Sequence, residues 1–449
     1  MGAAAYLCRM TSPHELRRTL SLRDLIFIVV GTVIGSGIFL TPGAVVRNSG
    51  SGGMALVVWT VGGILSLLGA LTFAELGASR PDSGGLYVYL RDAFGPPLAF
   101  LYGWTMFLVI GSGSLATLAA AFPRYVAVFV TLSPVAERVI SILMIVVVAL
   151  LNVRGTRQSA DVQGVATGIK AAVIVVLAAL LIALSKGTGH AGVWWPDHFT
   201  ASTIIGSITG MIGVLWAYEG WQYVTFSAGE TVDPQRTFAR GIVVGTLILI
   251  GIYVFANVGY FSALGVDGVA NSRTVASDAA SATLGPWAGK AISAVILVSI
   301  FSAANGMMLT LPRLFFAMAR DRLFFARLAA VHPRFGTPAA AIIGTAIWAA
   351  VLVLSGSFEQ LLTYVVFMSW LWFALAALAI FAYRRSEPDA PRPFRTPGYP
   401  ITPILFVVAA MVIVVNTVVS QPTQSLVGLG LALLGVPAYF WWRPRKSGA

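Results

Sequence analysis

Three places in the chain carry residue types that could do chemistry inside an otherwise apolar sequence. The first is Gly31-Thr32-Val33-Ile34-Gly35-Ser36-Gly37-Ile38-Phe39, where two glycines flank a serine in the middle of an apolar run. Glycine costs about 1 kcal/mol against alanine in a helix, and serine competes for backbone hydrogen bonds. A helix interrupted there exposes amides and carbonyls, which hydrocarbon tolerates only where they line a cavity or are buried in protein. Close helix packing uses the same small residues, so the stretch alone leaves both readings open. The second place is Trp216-Ala217-Tyr218-Glu219-Gly220-Trp221-Gln222, a carboxylate beside a glycine within another apolar run. Ionisable groups at that depth face a pathway or a partner, and a structural network would also hold such a glutamate. The third is Lys170, about eight residues into a later run and so about 12 Å from its end at 1.5 Å per residue.

Free amides at Gly35, Ser36 and Gly37 suit a carboxylate. Carbonyls near Val33 and Trp216 suit an ammonium. An α-amino acid carries both charges on adjacent atoms, and Trp216 or Tyr218 would cover it as an aromatic lid. The ammonium of Lys170 is expected on carbonyls of the broken first helix, in the place of a coupling sodium ion. Snorkelling to the interface is the alternative, and loss of its proton would instead make it a proton carrier. Ser299, Ser302 and Asn305 recur at spacing three, in reach of substrate or Lys170, though such residues also serve as glue between helices. Glu75 and Glu230 lie near the inner interface. With Arg23 and Asp24 they would form an inner gate, or simple charge pairs. The stretch Arg313–Arg322 reads as an amphipathic helix on the inner surface.

These groups need elements to hold them. Of 449 residues, 57% are apolar and 10% charged, against about 25% charged in a soluble domain. Twelve apolar runs are long enough to cross a bilayer, near 24–46, 54–79, 95–121, 136–152, 162–184, 202–228, 241–264, 286–310, 338–355, 358–382, 401–419 and 424–442. No cleavable secretory signal is visible. With the N-terminus inside, 22 of the 29 Lys and Arg residues fall in inner segments and 6 in outer ones, Lys170 being the remaining one. That bias places both termini in the cytoplasm of a cell inner-membrane protein. It also reads the net charge of +12 as topology and attraction to anionic lipid, not as a nucleic-acid surface. Trp194-Trp195 and Trp441-Trp442 sit at span edges as interface anchors. The lone Cys8 and four scattered histidines provide no disulfide within the chain, metal cluster or catalytic constellation. No cofactor or metal is therefore expected. An embedded enzyme, a channel or a sensor finds no supporting motif.

Spans 1 and 6 occupy matching positions if spans 1–5 and 6–10 are two halves, and interrupted segments in matching positions point to a transporter's site. No residue-level repeat is visible. The division reads as a tail 1–21, a first half 22–184, a second half 201–383, peripheral helices 400–442 and a tail 443–449.

Several of these residues resemble a known family. Gly31–Phe39, Ala74-Glu75-Leu76, Ser83–Tyr89 and Asn305-Gly306 resemble the amino acid–polyamine–organocation superfamily. Asn152-Val153 with Thr156-Arg157, Lys170 and Trp216–Trp221 are similar to its L-type branch, which includes light chains of heteromeric amino acid transporters. The resemblance runs from about Ser21 to Pro338 and more weakly beyond. It implies an all-α membrane fold of twelve helices, a LeuT-type five-plus-five inverted repeat with discontinuous helices 1 and 6. It implies sodium-independent exchange of L-amino acids across the bilayer, with proton-coupled import on the same fold as the alternative. By motif, Ser36 and Gly37 meet the substrate carboxylate. Val33, Trp216 and Glu219 offer carbonyls to the amine, and Ser299 and Asn305 stand as further substrate candidates. Trp216 matches the gating aromatic, with Tyr218 and Trp221 beside it, and Lys170 matches the family's lysine. Relatives for large neutral substrates often carry glycine where this chain has Glu219, and a relative that handles cationic and neutral amino acids has an acidic residue there, which tilts the expectation modestly toward cationic side chains as well. The third span lacks an arginine that eukaryotic members carry. The loop after it has no cysteine, so no disulfide-linked accessory subunit is expected.

Overall fold

The computed structural model describes residues 18, 20–82, 84–185 and 192–442, without the side chains of 156–162. Cys8, His14, His190, Ser83, the C-terminal tail and nearly all of the N-terminal tail lie outside the described residues. Among the described residues the regular secondary structure is helical, apart from one isolated bridge between Leu20 and Thr231.

Eleven helices are long and apolar enough to cross a membrane, and the 17-residue helix Ala339–Ser355 takes the ninth place among twelve spans. At 1.5 Å per residue it reaches about 26 Å, near the thickness of the hydrocarbon core. The first span is Leu22–Leu40, the third Pro96–Val126, the fifth Gln163–Leu184, the sixth Ala201–Glu230, the seventh Pro234–Asn271, the eighth Pro286–Arg320 and the tenth Phe358–Ser386. The chain is thus an all-α, multi-pass membrane protein.

The first and sixth spans are interrupted where the glycines stand. In the first, helix Leu22–Val33 ends at Ile34 (ψ 86°) and resumes at Gly37–Leu40. In the sixth, helix Ala201–Ala217 ends at Tyr218, Gly220 takes φ 129°, and a 3₁₀ segment runs Trp221–Glu230. That φ favours glycine over any residue with a Cβ. The third span hides a different irregularity, a π-turn at Met106–Ile110 between two α-helical pieces.

Two expectations are corrected by packing. Residues 313–320 are no surface helix: they continue the eighth span, and all but Arg320 are buried. The four inner charges do not form one gate either. Arg23 lies 5.1 Å over the Phe27 ring, and Asp24 accepts from Ser21 N at 2.9 Å in a capping box. Glu75 instead accepts two bonds from Arg384, at 2.8 and 2.7 Å, and one from Thr396 N at 2.6 Å. Glu230 accepts from Arg313 Nε at 2.6 Å, with both side chains buried. Arg313→Ala would strand that carboxylate, at a cost of about 3–5 kcal/mol. A clearly lowered melting temperature in detergent is expected, and an unchanged one would show the pair to be dispensable.

Candidate functional site

The two interruptions face each other. Thr32 Oγ1 lies 3.1 Å from Gly220 O, so the breaks touch, while its shortest acceptor is Ile28 O of its own helix at 2.6 Å. Gly37 lies so close to the sixth span that an added Cβ would fall 2.4 Å from Ala217 Cα. Backbone 32–37 forms one wall of a cleft, and Trp216, Glu219 and Tyr223 form another. Ser114 and Leu118 of the third span and Met307 of the eighth complete it. Its free space is about 20 Å³, room for about one water and not for an amino acid. This is a closed arrangement that has to open for any larger guest.

The polarity of the walls follows from the breaks. Among the described residues, the amides of Gly35, Ser36 and Gly37 meet no backbone carbonyl. The Ser36 hydroxyl is buried with no partner. At the sixth-span break, the carbonyls of Ala217, Tyr218 and Glu219 accept from no described backbone amide. Of these three residues Glu219 lines the cleft, so unpaired donors and an unpaired acceptor belong to the same lining. Glu219 itself is buried, and its Oε1 accepts from Gln222 Nε2 at 2.6 Å and from Ser369 Oγ at 3.1 Å.

Lys170 is fully enclosed on the far side of the first break. Its Nζ donates to Gly31 O at 2.6 Å and to Ile34 O at 2.7 Å. It does not snorkel. Ser299 Oγ donates to the same Ile34 carbonyl at 3.1 Å.

Val33, Gly35, Ser36, Gly37, Trp216 and Glu219 all line the cleft. The Val33 carbonyl is partly occupied, accepting from Tyr253 OH at 3.0 Å. The Trp216 carbonyl accepts from Glu219 N at 3.0 Å, so the open acceptors begin one residue later. Ser299 and Asn305 are not on its walls. Ser299 works beside Lys170, and Asn305 accepts from Asn152 Nδ2 at 2.9 Å. Of the two lid candidates, Trp216 lines the cleft, with its ring edge-on to Phe358 at 6.4 Å. Tyr218 packs away from it against Trp59 and Tyr253, and Trp221 sits between Phe73 and Phe373.

Ser114, Leu118, Tyr223 and Met307 escaped the sequence reading. The run Gly111-Ser112-Gly113-Ser114 was the available signal for the first of them.

A bundle of twelve spans, with two broken helices meeting at a polar cleft in its interior, is the architecture of a solute transporter, not of an enzyme. The chain belongs to the amino acid permease family, whose model matches residues 20–436. It is 31% identical over 446 residues to the serine/threonine exchanger SteT of Bacillus subtilis (strain 168), covering 97% of this chain and 99% of that protein. It is 32% identical over 433 residues to the cystine/glutamate transporter of Homo sapiens, covering 95% and 85%. With the human b(0,+)-type amino acid transporter 1 it shares 30% over 442 residues, covering 97% and 90%.

Proposed function

We propose that the chain is a secondary transporter of L-amino acids that works by alternating access and exchanges one amino acid for another without sodium. The observation that carries this is the adjoining pair of breaks: unpaired amides at 35–37 with the buried Ser36 hydroxyl, and carbonyls at 217–219 without a described backbone donor, of which Glu219 lines the same cleft. An α-carboxylate binds the first set and an α-ammonium the second, with Trp216 closing over both. Sodium independence is supported by Lys170, whose ammonium already occupies the carbonyls of Gly31 and Ile34. The names of the relatives, an exchanger among them, agree with this reading. Residues 22–184 and 201–383 are its two halves.

The test is uptake of labelled amino acids by purified protein in sodium-free liposomes. Uptake stimulated by internal amino acid is expected; none with or without internal substrate would overturn the proposal. The buried carboxylate of Glu219 favours a second reading, proton-coupled import. Uptake into empty liposomes driven by a pH gradient, with no stimulation by internal substrate, would select that one.

Glu219 bears on selectivity. Its carboxylate lines the cleft, where a basic side chain would pair with it. Neutral and cationic substrates are therefore proposed. In Glu219→Gly, competition by arginine should weaken about tenfold relative to leucine, the worth of one charge-assisted hydrogen bond. Equal competition before and after would make Glu219 structural.

The positional bias of the basic residues supports a cell inner-membrane location with both termini in the cytoplasm. With no cysteine in the loop after the third span, the transporter works without a disulfide-linked subunit.

A further inference from the structure

The end of the bundle that carries Trp216 and Phe358 holds a second cavity, of about 260 Å³, where the third and ninth spans end and the fourth and tenth begin. Three charged side chains line it: Arg124, Glu137 and Arg138. Arg124 Nη2 donates to Glu359 at 2.7 Å, and its guanidinium lies 4.9 Å over the Phe358 ring. Glu137 and Arg138 form no ion pair with any described residue, and both are exposed. The cavity's two hydroxyls are already engaged. Ser141 donates to Glu137 O at 2.9 Å, and Ser357 accepts from Gln360 N at 3.3 Å.

The helices on which this cavity stands turn apolar faces outward. On the fourth span, Val135, Val139 and Leu143 recur every four residues with exposures of 68, 48 and 56%. On the ninth, Ile347, Val351 and Leu354 are 62, 45 and 56% exposed. In a membrane those stripes are covered by acyl chains. A charged cavity therefore sits at the rim of two tail-binding stripes. Its charges are mixed, two guanidinium groups and one carboxylate. Guanidinium matches phosphate through paired N–H donors, while a lone carboxylate calls for an ammonium that can donate.

We propose that this cavity seats the headgroup of phosphatidylethanolamine, with the phosphate on Arg138 and Arg124, the primary ammonium on Glu137 and the tails along the fourth and ninth spans. A choline headgroup has no N–H to give Glu137, and a glycerol headgroup has no positive charge for it. Because Arg124 also holds Glu359 and covers Phe358, which abuts Trp216, a phosphate that draws Arg124 aside loosens the cover of the substrate cleft. The site stands independently of the transport reading.

The experiment is native mass spectrometry of the full chain in mild detergent. The protein is offered equal amounts of phosphatidylethanolamine, phosphatidylcholine and phosphatidylglycerol with identical acyl chains. Wild type should retain phosphatidylethanolamine in preference to both others. Arg138→Ala should retain it about tenfold less, the loss of one charge-assisted bond, with Arg138→Lys in between. Glu137→Gln should erase the preference for ethanolamine over choline while lipid is still held. Retention of all three lipids alike by wild type, or an unchanged pattern in both Arg138→Ala and Glu137→Gln, would overturn the proposal. A preference for phosphatidylglycerol over phosphatidylethanolamine overturns it too, since that marks a purely anionic site. Monodisperse elution of each variant shows that it is folded. Because the Lys and Gln variants keep side-chain bulk, they remain decisive should Arg138→Ala fail that check.

Discussion

Lys170→Ala is expected to lower the initial rate of amino acid exchange by about two orders of magnitude, because two charge-assisted hydrogen bonds worth about 1.5–3 kcal/mol each are removed. The ammonium sits in the membrane interior and donates, among the described residues, to two carbonyls, Gly31 O at 2.6 Å and Ile34 O at 2.7 Å. Placing a lysine at that depth costs about 2.5–3.5 kcal/mol on insertion scales, so the bonds have to be good ones. They do more than solvate the charge. Gly31 is in the last full turn before the break and Ile34 caps that helix, so the fifth span holds the end of the first helix at the point where its backbone opens. With alanine, Ser299 remains on Ile34 O but Gly31 O loses its partner from the fifth span. The amides of 35–37 then lose their fixed aim across the cleft. Relief of the buried charge offsets part of the stability loss, so turnover should fall far more than the melting temperature. Lys170→Met, which keeps the volume, should behave like the alanine variant if the ammonium is what matters. Exchange at the wild-type rate in both variants would remove Lys170 from the machinery.

The sequence made some of this legible and hid the rest, for physical reasons that can be named. Gly35, Ser36, Gly37 and Gly220 signalled the breaks because glycine and serine are poor helix residues, though close packing would use them as well, and their matching places in spans 1 and 6 tipped the reading. Lys170 announced a partner because an unpartnered ammonium does not stay in hydrocarbon. The third wall left little trace. Its π-turn is written in Met106-Phe107-Leu108-Val109-Ile110, which reads like any apolar helix, and the place of Ser114 and Leu118 on the cleft came only with packing. Tyr253 and Ser299 are similar cases: each satisfies a carbonyl of the first break, at Val33 and at Ile34, from residues more than 200 positions away. The reading of 313–322 as a surface helix failed on its arginines. Arg313 counts as polar in any periodicity, but here it is neutralised by Glu230 and buried with its neighbours.

Gly37→Ala should be the most damaging single methyl in the cleft. A Cβ there would fall 2.4 Å from Ala217 Cα, 2.7 Å from Ala217 Cβ and 3.0 Å from Ala217 N. Two of those three atoms are backbone, so no rotamer change relieves the clash, and the first and sixth spans have to part. Overpacking of this kind costs about 1–3 kcal/mol. The larger effect is on transport, because parting the breaks opens the 3.1 Å contact between Thr32 Oγ1 and Gly220 O. It also moves the unpaired amides at 35–37 away from the sixth-span backbone on which Gly37 packs. A displacement of about 1 Å in a positioned site is enough for a loss of about a hundredfold. Gly251→Ala is the matched control. It lies in the seventh span with nothing within 4 Å of its added Cβ, and alanine favours a helix by up to about 1 kcal/mol over glycine. That variant should melt at or above wild type and exchange normally. Side-by-side exchange rates and melting curves decide the point: if Gly37→Ala transports as Gly251→Ala does, the two breaks do not need to touch, and an amino acid is not held between them.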